Sequence, residues 1–114
     1  MDSILTSIKK LLGIAEDYKH FDNDLIMHIN SVFMVLTQLG VGPQEGFYIE
    51  DDGKSWSDFV SDQSQLQAIK SYMSMKVRLM FDPPTSSAVT EAMNRMISEF
   101  EWRLNAAVDP AQSS

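Results

Sequence analysis

Cysteine is absent from this chain of 114 residues, so neither a disulfide framework nor a thiolate metal site is available, and the fold is indifferent to redox compartment. Basic residues are few: nine Lys and Arg stand against sixteen Asp and Glu, a formal net charge of -7, and the nine are scattered along the chain. Proteins that grip a phosphate backbone do so with clustered cations, so this balance argues against a DNA-holding surface. No apolar run approaches the ~18 residues of a membrane span, and the start, Met1-Asp2-Ser3-Ile4, lacks the basic and apolar regions of a signal peptide. The chain is therefore read as soluble, made in the cytoplasm and without membrane contact. A glycine-rich phosphate loop is also missing, because Gly40-Val41-Gly42-Pro43 ends a helix instead of opening one.

What the chain does hold is apolar residues at helical spacing, at 44% hydrophobic content, enough for one core in a single domain. Ile4, Leu5, Ile8, Leu11, Leu12 and Ala15 predict a first helix, with Thr6, Ser7, Lys9 and Lys10 on its wet side. After an aspartate-rich linker, Asp22 or Asp24 is placed to cap a second helix through its carboxylate. The core stripe of that helix is Leu25, Ile29, Val32, Phe33, Leu36 and Leu39, and Gly40 suits the left-handed position just past its end. From 42 to 64 the helical period disappears. Phe47-Tyr48-Ile49, then Glu50-Asp51-Asp52-Gly53-Lys54 and Trp56, read as a small β-hairpin or ordered loop at about 46–56, with its turn at Asp52-Gly53. One helical turn is expected over 57–60, and Ser61, Asp62 or Ser64 then caps a long third helix.

A long helical hairpin follows, over about 64–82 and 86–106, with its elbow at Phe81-Asp82-Pro83-Pro84. Pro83 disfavours helical geometry at Asp82, and two prolines in a row supply no backbone donors. The first arm has its stripe at Leu66, Ile69, Met73, Val77 and Met80; the second at Val89, Met93, Met96, Ile97, Phe100 and Leu104. With Phe100 as core, Phe100→Ala is expected to cost about 3–5 kcal/mol. The fold class is mainly α, a bundle of about four helices. One domain is expected over 1–107, with 108–114 as a flexible C-terminal tail.

No arrangement of residues points to catalysis. His20, Asp22, Asp24 and His28 match no metal-ligand signature, and capping accounts for the aspartates. Glu50-Asp51-Asp52-Gly53 lacks the alternating acids and terminal glutamate of a calcium loop. The serines lie at caps and loops, with no histidine and carboxylate at recognisable spacing. No catalytic, metal or cofactor-binding residue is assigned, and no cofactor is expected.

The apolar residues that lie off the core stripes say more. Trp102 falls about half a turn from its helix's stripe, beside Glu91, Arg95 and Ser98. Either a partner covers it or the loop or tail of the same chain does. Met27 and Met34 are one heptad apart on the outer side of the second helix, with small Ser31 between them. Tyr72, Met75 and Leu79 give the first arm of the hairpin a second apolar side, and Phe47, Tyr48 and Trp56 supply aromatics from the loop. Met27, Met34, Phe47, Tyr48, Trp56, Tyr72, Met75, Leu79 and Trp102 are thus the candidate subunit or partner interface.

The order of elements is similar to a known family. Ile8-Lys9-Lys10-Leu11-Leu12-Gly13-Ile14, the acidic linker, and Asp22-Asn23-Asp24-Leu25-Ile26 with Ile29 resemble the amino-terminal pattern of head-to-tail connector, or adaptor, proteins of long-tailed bacteriophages. Ile69-Lys70-Ser71-Tyr72, Lys76-Val77-Arg78 and Phe81-Asp82-Pro83 resemble the family's long helix, which ends near an aspartate and proline before a closing helix. The likeness covers residues 1–107. It implies a structural virion protein made in the bacterial host, a ring of typically about twelve copies beneath the portal protein, meeting a neck or stopper protein on its other side. DNA would pass through such a ring without specific binding, since carboxylates repel phosphate. The alternative is a small helical interaction or regulatory module outside any virion, which genome context would distinguish.

Overall fold

The computed structural model describes residues 3–113 and, within them, the side chains of all but Gln63 and 108–113. Helices are the regular elements: α1 (Ile4–Leu11), α2 (Asp22–Gln38), the single turn α3 (Trp56–Phe59), α4 (Leu66–Phe81) and α5 (Ser87–Ser113), with a 3-10 turn at Gln63–Gln65 before α4. Among the described residues there is no strand; the one β-type contact is an isolated antiparallel bridge between Ser3 and Ser55. The backbone of α5 runs past its expected end to Ser113, and the tail expected at 108–114 falls on positions whose side chains lie outside those described.

Helices α2 and α4 form the centre of the core, with α1 packed on both and α5 on α4. Leu25, Ile29, Val32, Phe33 and Leu36 are fully buried, as their spacing requires of a helix with neighbours along one whole stripe. The helix stops where Gly40 takes φ +87°. Gly40 N–H then bonds to Thr37 O at 3.0 Å and Val41 N–H to Leu36 O at 2.9 Å, so the last carbonyls are satisfied while Val41 tucks into the core.

The start of α2 differs from expectation. Neither Asp22 nor Asp24 caps it: the cap position is Phe21, with no side-chain bond. The Asp22 carboxylate instead meets Lys9 Nζ at 2.8 Å, and Lys9 is buried, not on the wet side of α1. Lys9 follows Leu5 by four residues and precedes Leu12 by three, so it sits within the apolar stripe. Its ammonium also donates to Glu16 O at 3.0 Å and Tyr18 O at 2.7 Å, which pins the acidic linker to α1.

The 46–56 segment is an ordered loop, not a hairpin. Its backbone groups find partners elsewhere in the fold. Asn30, on α2, donates from Nδ2 to Ile49 O at 2.9 Å and accepts from Ile49 N–H through Oδ1 at 2.8 Å, doing with one side chain what a neighbouring strand would do. Ile4 N–H donates to Lys54 O at 3.0 Å, and the expected turn closes through Gly53 N–H and Asp51 Oδ1 at 2.8 Å. Ser55 N–H to Asp58 Oδ2, 2.9 Å, then starts α3. Phe33, Phe47 and Phe59 form an aromatic cluster with centroids 4.8 to 5.2 Å apart. The Phe59 ring lies so close to Gly42 that a Cβ there would sit 2.3 Å from it.

Helix α4 buries Leu66, Ile69, Tyr72, Met73 and Val77, while Met80 remains 42% exposed. It ends at Phe81; Asp82 is out of helical geometry before Pro83, as proline demands of its predecessor. Ser86 Oγ accepts from Val89 N–H at 3.3 Å and opens α5. Two polar contacts seat α5: Tyr72 Oη donates to Glu101 Oε2 at 2.7 Å, and Asn105 Nδ2 donates to Leu39 O at 3.1 Å. Burial, and then the Glu101 carboxylate, push the Tyr72 phenol well above its ordinary pKa.

Candidate assembly surface

Of the nine residues expected at an interface, four stand on the surface. Met27, Met34 and Tyr48 are each more than half exposed, and Trp102 is 72% exposed, the most open large apolar side chain among the described residues. Phe47, Met75 and Leu79 are half-buried at the margin of the core. Trp56 and Tyr72 are buried and belong to the core itself, which corrects their assignment. Each is an amphipathic ring whose polar end has an internal partner, Trp56 Nε1 at 3.2 Å from Ser7 Oγ and Tyr72 Oη on Glu101.

The fold joins some of these residues into one patch. On α2, Met27 and Met34 share a face, and the hydroxyl of the intervening Ser31 turns back to Met27 O at 3.1 Å, so no polar group projects between them. The Asn30 bond to Ile49 brings the loop alongside, and Met34, Phe47 and Tyr48 line a shared recess of about 370 Å³. Lys54 steadies Tyr48: its ammonium donates to Tyr48 O at 2.8 Å and lies 4.7 Å above the ring.

A second apolar surface runs along α5, remote in sequence from the first. Val89 and Met96, expected in the core stripe, are 48% and 50% exposed, and Met93 and Phe100 are half-buried. Only Ile97 and Leu104 of that stripe reach the interior. A helix that packs mainly on one neighbour has too little partner surface to cover a full stripe. Met96 and Phe100, with Glu99 and Arg103, line a recess of about 180 Å³. Trp102 projects from another side of the same helix.

Asp62 lies below its usual pKa because Ser64 N–H and hydroxyl bond to its carboxylate at the start of the 3-10 turn. His20 stacks edge-on against Phe21 at 4.9 Å. Among the described residues no group of three or more His, Asp or Glu is placed to hold a metal ion, and no helix is long and apolar enough to cross a membrane.

Five of the nine basic residues lie on two neighbouring helices. Helices α1 and α4 carry Lys9, Lys10, Lys70, Lys76 and Arg78 and no acidic residue, and the two helices pack together. The connection between α2 and α4 is the reverse, with Glu45, Glu50, Asp51, Asp52, Asp58 and Asp62 against Lys54 alone.

Comparison with known proteins agrees with a chain organised for contact instead of catalysis. A sequence model of the family described as phage connector protein matches residues 4–111. No match was found among curated proteins or among solved structures. The matched span takes in α1 to α4 whole and α5 as far as residue 111. The chain therefore belongs to the phage connector protein family, and is a structural, non-enzymatic component of the virion that acts through other head and tail proteins.

Proposed function

We propose that the protein is a head-to-tail adaptor: copies close into a ring beneath the portal of a DNA-filled head, extend the DNA channel, and offer a neck or stopper protein a surface on the far side. The observation that carries this reading is the family match over residues 4–111. Two features of the fold support it. An oligomer needs exposed surface to bury between copies, and the fold leaves apolar residues open on two elements, the α2 patch and the α5 surface. An acidic chain also leaves passing DNA unbound, since a net charge of -7 repels phosphate.

Imaging the neck of purified virions tests the proposal, together with binding of the recombinant protein to the portal ring of the same phage. Density for the helical domain on the portal, and co-elution with it, are the expected results. A neck that lacks the protein, or a portal that leaves it unbound, sinks the reading.

A further inference from the structure

The ring reading leaves open which surfaces meet, and the distribution of charge supplies an answer that rests on it. We propose that the groove between α1 and α4 receives the acidic turn at 50–52 of a second copy of the chain. The groove, about 410 Å³, is lined by Thr6, Ser7, Lys10, Lys70, Ser71 and Ser74. Lys10 and Lys70 bring positive charge, the hydroxyls bring hydrogen-bonding groups, and Leu11, 54% exposed, gives an apolar margin. Glu16 is the one acidic residue along it. Arg78 continues the same face of α4 beyond Ser74 and is exposed. In a chain of net charge -7 this is an exceptional surface, although Ser7 also accepts from the buried Trp56 Nε1 and Lys70 lies over the Trp56 ring.

Its complement lies on the other side of α1. Glu50, Asp51 and Asp52 are exposed and border a recess shared with Leu5, Asp22, Ile26 and one cation, Lys19. Thr6, Ser7 and Lys10 are displaced from Leu5 by roughly 100–200° around the helix, so α1 stands between groove and turn. The two surfaces are barred from meeting within one molecule. Between molecules they meet head to tail, which is the heterologous geometry that closes rings. The turn is already set for docking, because the Asx bond from Gly53 N–H to Asp51 and the Lys54 contacts hold it rigid and little order is lost when it binds. Exposed ion pairs are individually weak in water, so a single contact is labile and closure of the ring, or a portal beneath it, makes it persist.

A duplex DNA backbone is the rival occupant of a lysine-lined groove. It is disfavoured because the acidic remainder of the chain repels phosphate at range, whereas a second copy brings carboxylates on a local, preformed turn.

The absence of cysteine makes the test direct. A chain carrying Asp52→Cys and Ser74→Cys is oxidised alone and on the portal ring. A ladder of disulfide-linked oligomers ending in a closed species is expected, whereas either substitution alone stops at dimers and the pair Asp52→Cys with Met27→Cys gives no ladder. Charge reversal by Lys10→Glu with Arg78→Glu, which leaves Lys70 in place over the Trp56 ring, should weaken self-association about tenfold or more. Adding Glu50→Lys and Asp52→Lys to that variant, which keeps the Asp51 bond that shapes the turn, should restore it, which a folding defect would not permit. Rings that assemble on the portal with no 52–74 disulfide overturn this docking and leave the adaptor reading standing. Absence of the protein from the portal overturns both. Copies that stay apart while the groove retains a short DNA duplex, with retention lost in Lys10→Glu, assign the groove to nucleic acid instead.

Discussion

Replacing Lys9 by methionine, which keeps the length and apolar stem of the side chain, isolates the role of its ammonium. The side chain is 2% exposed, so the methionine fits the same space and the transfer term changes little. What is lost is the ion pair to Asp22 at 2.8 Å and the bonds to Glu16 O and Tyr18 O at 3.0 and 2.7 Å. Removing one partner of a buried pair costs about 3–5 kcal/mol because the other charge is stranded. The Asp22 Oδ1 that faces the ammonium is closed off from solvent, whereas the two carbonyls belong to exposed residues, so water recovers the carbonyls' share alone and a loss of about 3–4 kcal/mol is expected. Asp22→Asn keeps an acceptor against the ammonium and should cost only about 1–2 kcal/mol. Urea unfolding of both single variants and the double variant gives the coupling directly, expected at about 1 kcal/mol or more. A Lys9→Met chain within about 0.5 kcal/mol of the parent would refute the reasoning, since that is the ordinary effect of a surface change.

Three further outcomes are expected. Asn30→Ala strands both backbone groups of buried Ile49 and should destabilise by about 2–4 kcal/mol in urea unfolding, with exposed Asn23→Ala as the neutral reference. Phe100→Ala, at a half-buried position, should cost about 1–2 kcal/mol by thermal melting, less than a core phenylalanine; Trp102→Ala should stay within about 0.5 kcal/mol while weakening binding to the portal. Tyr72 supplies a pH dependence at the alkaline end. Its folded pKa is raised, so the unfolded chain releases the phenolic proton first, and the contribution is full below the unfolded pKa of about 10 and falls as pH rises above it. Tyr72→Phe should flatten that fall, measured as melting temperature against pH.

How much of the fold and of the surface is legible in the chain depends on whether a residue's environment is local. The α2 stripe, the stop at Gly40 and the break at Asp82 before Pro83 follow from periodicity and backbone sterics, which act within a few residues, and all are in the structure. Lys9 and Asn30 escape such a reading because their partners are 7 to 19 residues away, across turns no pattern encodes. The position of Lys9 between Leu5 and Leu12, followed by an acidic linker, is the available clue. Trp56 and Tyr72 show the limit for amphipathic rings: an aromatic off the stripe reads as a contact surface until its polar end is found to have an internal partner. On α5 the discrepancy runs the other way. Val89 and Met96 keep helical spacing but lie outside the core, because periodicity reports a face and not the number of helices available to cover it.

Glu101 and Asn105 give α5 a rotational index. Methionine-rich packing between helices tolerates slippage, since flexible thioethers refill the space after a small turn about the axis. Hydrogen bonds do not. Glu101 is held by Tyr72 and faces Lys76 at 3.8 Å, and Asn105, one turn on, is held by the Leu39 carbonyl at the end of α2. Together they act as two teeth that admit a single angular setting. Trp102, next to Glu101 in sequence and about 100° round the helix, is then aimed by residues it never touches. Every copy of the chain carries its most exposed aromatic on the same bearing, a uniformity that any repeating assembly built from it inherits.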